Sequence, residues 1–127
     1  MVKQILFFTL SLLTVQFLPG CTKANTDITV TEITGRGVDD DSGAFCSDFS
    51  LTTEEAQHYF DKTRKVSVKE LHDRYDFLPC YVKGKATRGG QICEWEIRAG
   101  GTGRFTCGED AGLTACVDCL PAAKTSH

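Results

Sequence analysis

Ile92-Cys93-Glu94-Trp95-Glu96-Ile97-Arg98, then Ala99-Gly100-Gly101-Thr102-Gly103, then Arg104-Phe105-Thr106-Cys107, is the stretch that decides the fold. Its first seven residues alternate strictly. Cys93, Trp95 and Ile97 fall on one face, and Glu94, Glu96 and Arg98 on the other. A period of two marks a half-buried strand, because successive side chains point to opposite sides of the pleat. The glycine-rich stretch reads as a turn, since glycine takes positive φ without steric cost. Arg104–Cys107 then returns antiparallel. Placing Trp95 opposite Phe105 puts Cys93 opposite Cys107, so an aromatic pair and a cysteine pair share the inward face. A Cys93–Cys107 bond closes a loop of about 15 residues, worth roughly 3 kcal/mol in the chain-entropy account.

Cys80-Tyr81-Val82-Lys83-Gly84-Lys85-Ala86 reads as another strand, leading into a turn at Thr87-Arg88-Gly89-Gly90. Leu113 to Val117 reads as a last short one. Upstream stand two helix starts. Thr52-Thr53-Glu54-Glu55 is a capping box, with Ala56, Tyr59, Phe60 and Thr63 recurring at helical spacing behind it. Ser67-Val68-Lys69-Glu70 is a second, with Val66 and Leu71 placed as a hydrophobic staple. Val68, Leu71, Tyr75 and Leu78 form the expected buried stripe, and Pro79 ends the helix by biasing Leu78 away from helical dihedrals. The spacing predicts a helical hairpin of 52–64 and 67–77. Asp27 to Thr34 reads as an edge strand, and Arg36 to Gly43, with Asp39-Asp40-Asp41, as an exposed loop. The expected fold class is α+β: a small antiparallel sheet with a two-helix hairpin on one face, stapled by disulfides.

The N-terminal end has a different character. Lys3 precedes Ile5 to Leu18, fourteen uncharged residues rich in Leu, Ile, Val and Phe, stopped by Pro19 and Gly20. A basic n-region and an apolar h-region too short to span a bilayer make a secretory signal. The run ends in Leu18-Pro19-Gly20-Cys21, which resembles the lipobox of bacterial lipoproteins. That resemblance implies cleavage before Cys21, a diacylglyceride on its sulfur and acylation of the new amine, an anchor of more than one chain and therefore stable. It further implies a place in the bacterial cell envelope, with Thr22 after the cysteine favouring the outer membrane and a domain facing the periplasm. An ordinary signal cut after Thr22-Lys23-Ala24 would instead discard Cys21. The expected organisation is a signal peptide at 1–20, a lipidated N-terminus, tether and acidic loop at 21–44, and one domain at 45–127.

Seven cysteines is an odd count. With lipid on Cys21, six remain: Cys46, Cys80, Cys93, Cys107, Cys116 and Cys119, an even set that an oxidising compartment turns into three disulfides. Beyond Cys93–Cys107, the expectation is that Cys46 and Cys80 are tied to Cys116 and Cys119, in an order the sequence leaves open.

The chain carries 14 Lys/Arg, one of them Lys3, against 17 Asp/Glu. That balance argues against nucleic acid as a partner, because phosphate neutralisation needs clustered cations. Cys116-Val117-Asp118-Cys119 has the spacing of a redox pair or half a zinc site. Leu120-Pro121 leaves no room behind it for an activating helix, so a structural cystine is expected. His72 and Asp76, at i and i+4, are the one candidate acid–base pair, without a marked nucleophile. Lys62, Arg64, Lys65 and Lys69 make a basic patch around the hairpin. The reading is therefore a binding protein rather than an enzyme, without cofactor or metal. Another protein is the expected partner, with an inhibitor or immunity role against an envelope-targeted toxin or hydrolase placed ahead of a structural or assembly lipoprotein. The expected contact surface is the stapled turn: Gly101 for close backbone approach, flanked by Arg98 and Arg104 as forked donors to carboxylates.

Overall fold

In this computed structural model, residues 28–39 and 48–121 are described. The signal segment, Cys21 and its tetrad, the tether up to residue 27, the loop from Asp40 to Gly43, Cys46 and His127 lie outside them. Six strands form one sheet: β1 (Ile28–Val38), β2 (Arg64–Val66), β3 (Cys80–Arg88), β4 (Gln91–Arg98), β5 (Thr102–Cys107) and β6 (Asp110–Ala115). Every pairing is antiparallel, in the order β1-β3-β4-β5-β6-β2. Helices α1 (Thr53–Lys62) and α2 (Val68–Arg74) flank β2 in the chain, and the architecture is α+β.

The decisive hairpin has the register that alternation dictates. Trp95 faces Phe105, and Cys93 is bonded to Cys107. The β3–β4 connection is the two-residue loop Gly89-Gly90, both at positive φ, which matches the right-handed strand twist. A second two-residue loop, Gly108-Glu109, with Gly108 at positive φ, sets Cys107 against Asp110, so β6 starts before Leu113, where the apolar signal first shows.

One face of the sheet is the core. Thr52 caps α1 through its hydroxyl, and Glu55 closes the box by accepting the Thr52 N–H at 3.0 Å. The helix thus oriented buries Ala56, Tyr59 and Phe60 against the sheet. The Phe60 ring meets Trp95 and Phe105 edge-on, at 5.8 and 5.4 Å between centroids. Val82, Cys93 and Ile97 complete the floor. Trp95 crosses the backbone at Gly84, where any Cβ would strike both the indole and the Glu32 carbonyl oxygen.

The fold departs from its local sequence signals in four places. First, β1 runs to Val38, through the start of the stretch read as an exposed loop, and its apolar residues pack on the core. The folded unit therefore includes residues 28–38, ahead of the boundary placed at 45. Two bulges in β1 interrupt the periodicity that would have shown its length.

Second, the helices do not form a hairpin. The chain leaves α1 at Thr63 in extended conformation and enters β2, whose Arg64, Lys65 and Val66 pair with β6 at the sheet edge. Cations on a short edge strand are a usual means of blocking further pairing. Third, α2 buries none of its residues, and Val68, read as part of its buried stripe, is 74% exposed. It follows the outermost strand, beyond the face that α1 covers.

Fourth, Cys116 is bonded to Cys119, not to Cys46 or Cys80. Cys80 is also disulfide-bonded.

Candidate functional site

The middle outward positions of β3, β4 and β5 carry charge at Lys83, Lys85, Glu94, Glu96 and Arg104. Antiparallel register lines them into two cross-strand rows, Lys83–Glu96–Arg104 and Lys85–Glu94–Thr106. Directly opposed residues of one face lie close enough to interact, so each glutamate sits between cationic or polar neighbours. The rows border an open groove of about 260 Å³, to which β1 adds Thr34. The bulge at Ile33–Gly35 turns the Thr34 hydroxyl toward β3, where it donates to the Lys83 carbonyl at 3.4 Å.

The cations of this surface are not locked into ion pairs. Glu96 is drawn toward the Arg98 guanidinium at 3.4 Å. Among the described residues none forms an ion pair with Lys83, Lys85 or Arg104. Three solvated cations, interleaved with Glu94 and Glu96 and with Glu32 of β1 in register with Lys85, leave the Lys83 and Lys85 ammoniums and the Arg104 guanidinium as donors open to carboxylates. Arginine adds a planar fork suited to bidentate contact.

The residues expected to bind a partner are divided by the structure. Arg104 is exposed on this face. Arg98 is not available: its side chain is 11% exposed and bonded to Asp39 at 2.7 Å. It also donates to the Leu78 carbonyl at 3.1 Å, and its guanidinium lies 4.4 Å from the Phe77 ring centroid and 5.4 Å from that of Tyr81. Gly101 is buried too. Its carbonyl accepts the Cys116 N–H at 2.8 Å and the Tyr59 hydroxyl at 3.2 Å. A Cβ there would meet the Cys116 carbonyl oxygen at 2.7 Å. The turn is thus sandwiched between the Asp76–Leu78 segment and the Cys116–Val117 segment, and a partner backbone cannot approach it.

The remaining candidates are also placed. His72 is exposed on α2 and contacts Asp73 at 3.2 Å; α2 ends at Arg74, so Asp76 is no longer on its face. Lys69 and Asp73 pair at i,i+4, and Arg64 binds Glu70 while donating to the Tyr75 hydroxyl at 2.8 Å. Those contacts hold the Glu70 and Asp73 carboxyls below their usual range, chiefly through the hydrogen bonds from Arg64 and Lys69. Much of the expected basic patch is therefore engaged with acids of its own chain.

Lys83 and Lys85 join Arg104 on this face, and their alternation with Val82, Gly84 and Ala86 marks them as outward-facing. The Trp95–Phe105 register sets Arg104 opposite Glu96, and the β3–β4 pairing brings Lys83 to the other side of the same glutamate. No family model, curated protein or solved structure matches the chain.

Proposed function

We propose that the chain is an exported, lipid-anchored envelope protein whose folded domain binds another protein through the outer face of β3, β4 and β5. The observation that carries this reading is the set of solvated, unpaired cations Lys83, Lys85 and Arg104 on one rigid surface. A preformed surface loses little conformational entropy on binding, so more of its contact energy appears as affinity. The partner presents carboxylates, and an inhibitor or immunity role against an envelope-targeted toxin or hydrolase follows from that pairing of rigidity with charge. The anchor is Cys21, in the outer membrane with the domain facing the periplasm.

The cysteine count supports that anchor. Cys93–Cys107 and Cys116–Cys119 are closed, and Cys80 is bonded. Cys21 and Cys46 are the two cysteines left, and lipid on Cys21 assigns Cys46 to Cys80. Intact mass should then show six cysteines gained on reduction and alkylation of the exported protein. Labelled palmitate should enter the wild type and not Cys21→Ser; incorporation into that variant removes the lipid from the reading. For the surface, Lys83→Glu/Arg104→Glu exchanges two exposed residues and should fold normally. Loss in that variant of a partner cross-linked to the wild type is expected, and equal recovery would dismiss the sheet face.

A structural or assembly lipoprotein is the second reading, favoured by the edge position of the 11-residue β1. Its Val30 N–H and Ile28 carbonyl are capped by Gln57, at 2.7 and 3.0 Å. Among the described residues the edge beyond them borders no other strand, an arrangement that can receive an extended segment of an assembly partner.

A further inference from the structure

The two described disulfides differ in what they hold and in how they meet solvent. Cys93–Cys107 ties adjacent core strands, with its cysteines 1% and 3% exposed. Cys116–Cys119 lies past the last strand and closes a loop only three residues in separation, around the 3-10 turn Val117–Cys119. Cys116 is half-buried, Val117 and Asp118 are exposed, and Cys119 is buried. A short loop restrains the unfolded chain far less than a long one, so this bond adds less to the fold.

The turn does not depend on the bond for its place. The Cys116 N–H is held by the Gly101 carbonyl at 2.8 Å, and the Cys119 N–H reaches the Cys116 carbonyl at 3.4 Å. Leu120 anchors the far side in the core. Beside Cys119 an open groove of about 420 Å³ runs along α1, lined by Glu54, His58, Asp118 and Leu120 among others.

We propose that Cys116–Cys119 is a thiol-exchange site, opened by an incoming thiol while Cys93–Cys107 stays closed. The attacking thiolate forms a bond to Cys116 Sγ, the sulfur of the less buried cysteine, and the Cys116–Cys119 bond breaks with its electron pair on Cys119, the cysteine that lines the groove. The Glu54 and Asp118 carboxylates in the same groove disfavour a bare thiolate there. The sulfur takes up a proton, for which His58 is the groove's imidazole. A second thiol then displaces Cys116 from the mixed disulfide. In sum, one protein disulfide and two thiols become one protein dithiol and one disulfide of the incoming thiol. The thiol is a small molecule or a cysteine of a protein dithiol, and the chemistry at Cys116 is the same for both.

The test uses the full chain, exposed to graded reduced glutathione and, separately, to a reduced thioredoxin-type protein, then alkylated and peptide-mapped. Alkylation of Cys116 and Cys119 is expected at thiol concentrations at least tenfold below those that open Cys93–Cys107, with an unchanged near-ultraviolet circular dichroism spectrum. Opening by glutathione assigns the source to a small thiol; opening only by the dithiol protein assigns it to a protein. Opening of both disulfides together, of Cys93–Cys107 first, or of neither before unfolding overturns the proposal. Single-cysteine trapping identifies the attacked sulfur: with oxidised glutathione, Cys119→Ser should form a mixed disulfide at Cys116 at least tenfold faster than Cys116→Ser does at Cys119. Equal or reversed rates overturn the assignment of Cys116.

Discussion

Single side chains in this protein show how a residue's chemistry is settled by what covers it. Arg98 and Arg104 both point outward from neighbouring strands, yet Arg98 holds Asp39 and the Leu78 carbonyl while Arg104 meets solvent. Tyr59 is the opposite case, a polar group taken inside. Its hydroxyl lies within hydrogen-bond distance of the Gly101 carbonyl and the Thr114 hydroxyl, and burial raises its pKa above that of a free phenol. Because the folded state holds this proton more tightly, the contribution is complete below about pH 10 and is lost as pH rises through the higher folded value. Tyr59→Phe should cost about 1–2 kcal/mol at neutral pH. It should also lose less stability than the wild type between about pH 9 and pH 11 in urea titrations. Thr102 makes a sharper case: at 2% exposure its hydroxyl has no hydrogen-bond partner among the described residues. Thr102→Val keeps the shape and removes an unsatisfied donor, so the urea midpoint should stay level or rise, by up to roughly 1 kcal/mol in stability.

Elements differ in how far the whole molecule depends on them. Both helices begin with a side-chain cap, Thr52 accepting the Glu55 N–H at 3.1 Å and Ser67 accepting the Glu70 N–H at 3.0 Å. The hydroxyl bonds are alike, each worth about 1 kcal/mol, although only α1 has the reciprocal box, since the Glu70 carboxylate of α2 is bound to Arg64. Tertiary context separates them. Helix α1 carries Tyr59 and Phe60 into the core, so its fraying opens the fold; α2 buries nothing. Thr52→Ala is expected to lower global stability by about 1 kcal/mol, and Ser67→Ala by less than about 0.5 kcal/mol. Equal losses in chemical denaturation would show that α2 is coupled to the sheet after all.

At the scale of the molecule, six strands, one packed helix and short-range staples share the work of a small core. The two described disulfides are not equal in it. Replacing Cys93 and Cys107 together by serine should cost about 3 kcal/mol, whereas the Cys116/Cys119 double replacement should cost about 2 kcal/mol or less, because the closed loop is shorter. Thermal unfolding of the two double variants measures the difference. A larger loss from the C-terminal pair would mean that this turn, and not the β4–β5 staple, holds the sheet together.

The sequence by itself determined the β4–β5 hairpin, its register, its disulfide and both helix starts. Each rests on geometry within a few residues or across one turn: the two-residue pleat, the glycines that admit positive φ, and the reach of a threonine hydroxyl to an N–H three residues on. The glycine signal even located the β3–β4 loop, although β6 started earlier than its apolar residues announce, because Ala111 and Gly112 carry little strand signature. What only the tertiary structure decided concerns contacts between segments far apart in the chain. Arg64-Lys65-Val66 became an edge strand because β6 offered an unpaired edge, and α2 stayed outside because the face it was to cover was already filled by α1. Arg98 lost its role as a donor to partners when the Asp76–Leu78 segment and Asp39 closed over it, and Arg104 kept the same role because it stays exposed. Alternation fixes which side of a strand a residue faces; only the packing of the remaining chain fixes whether that side is open to water.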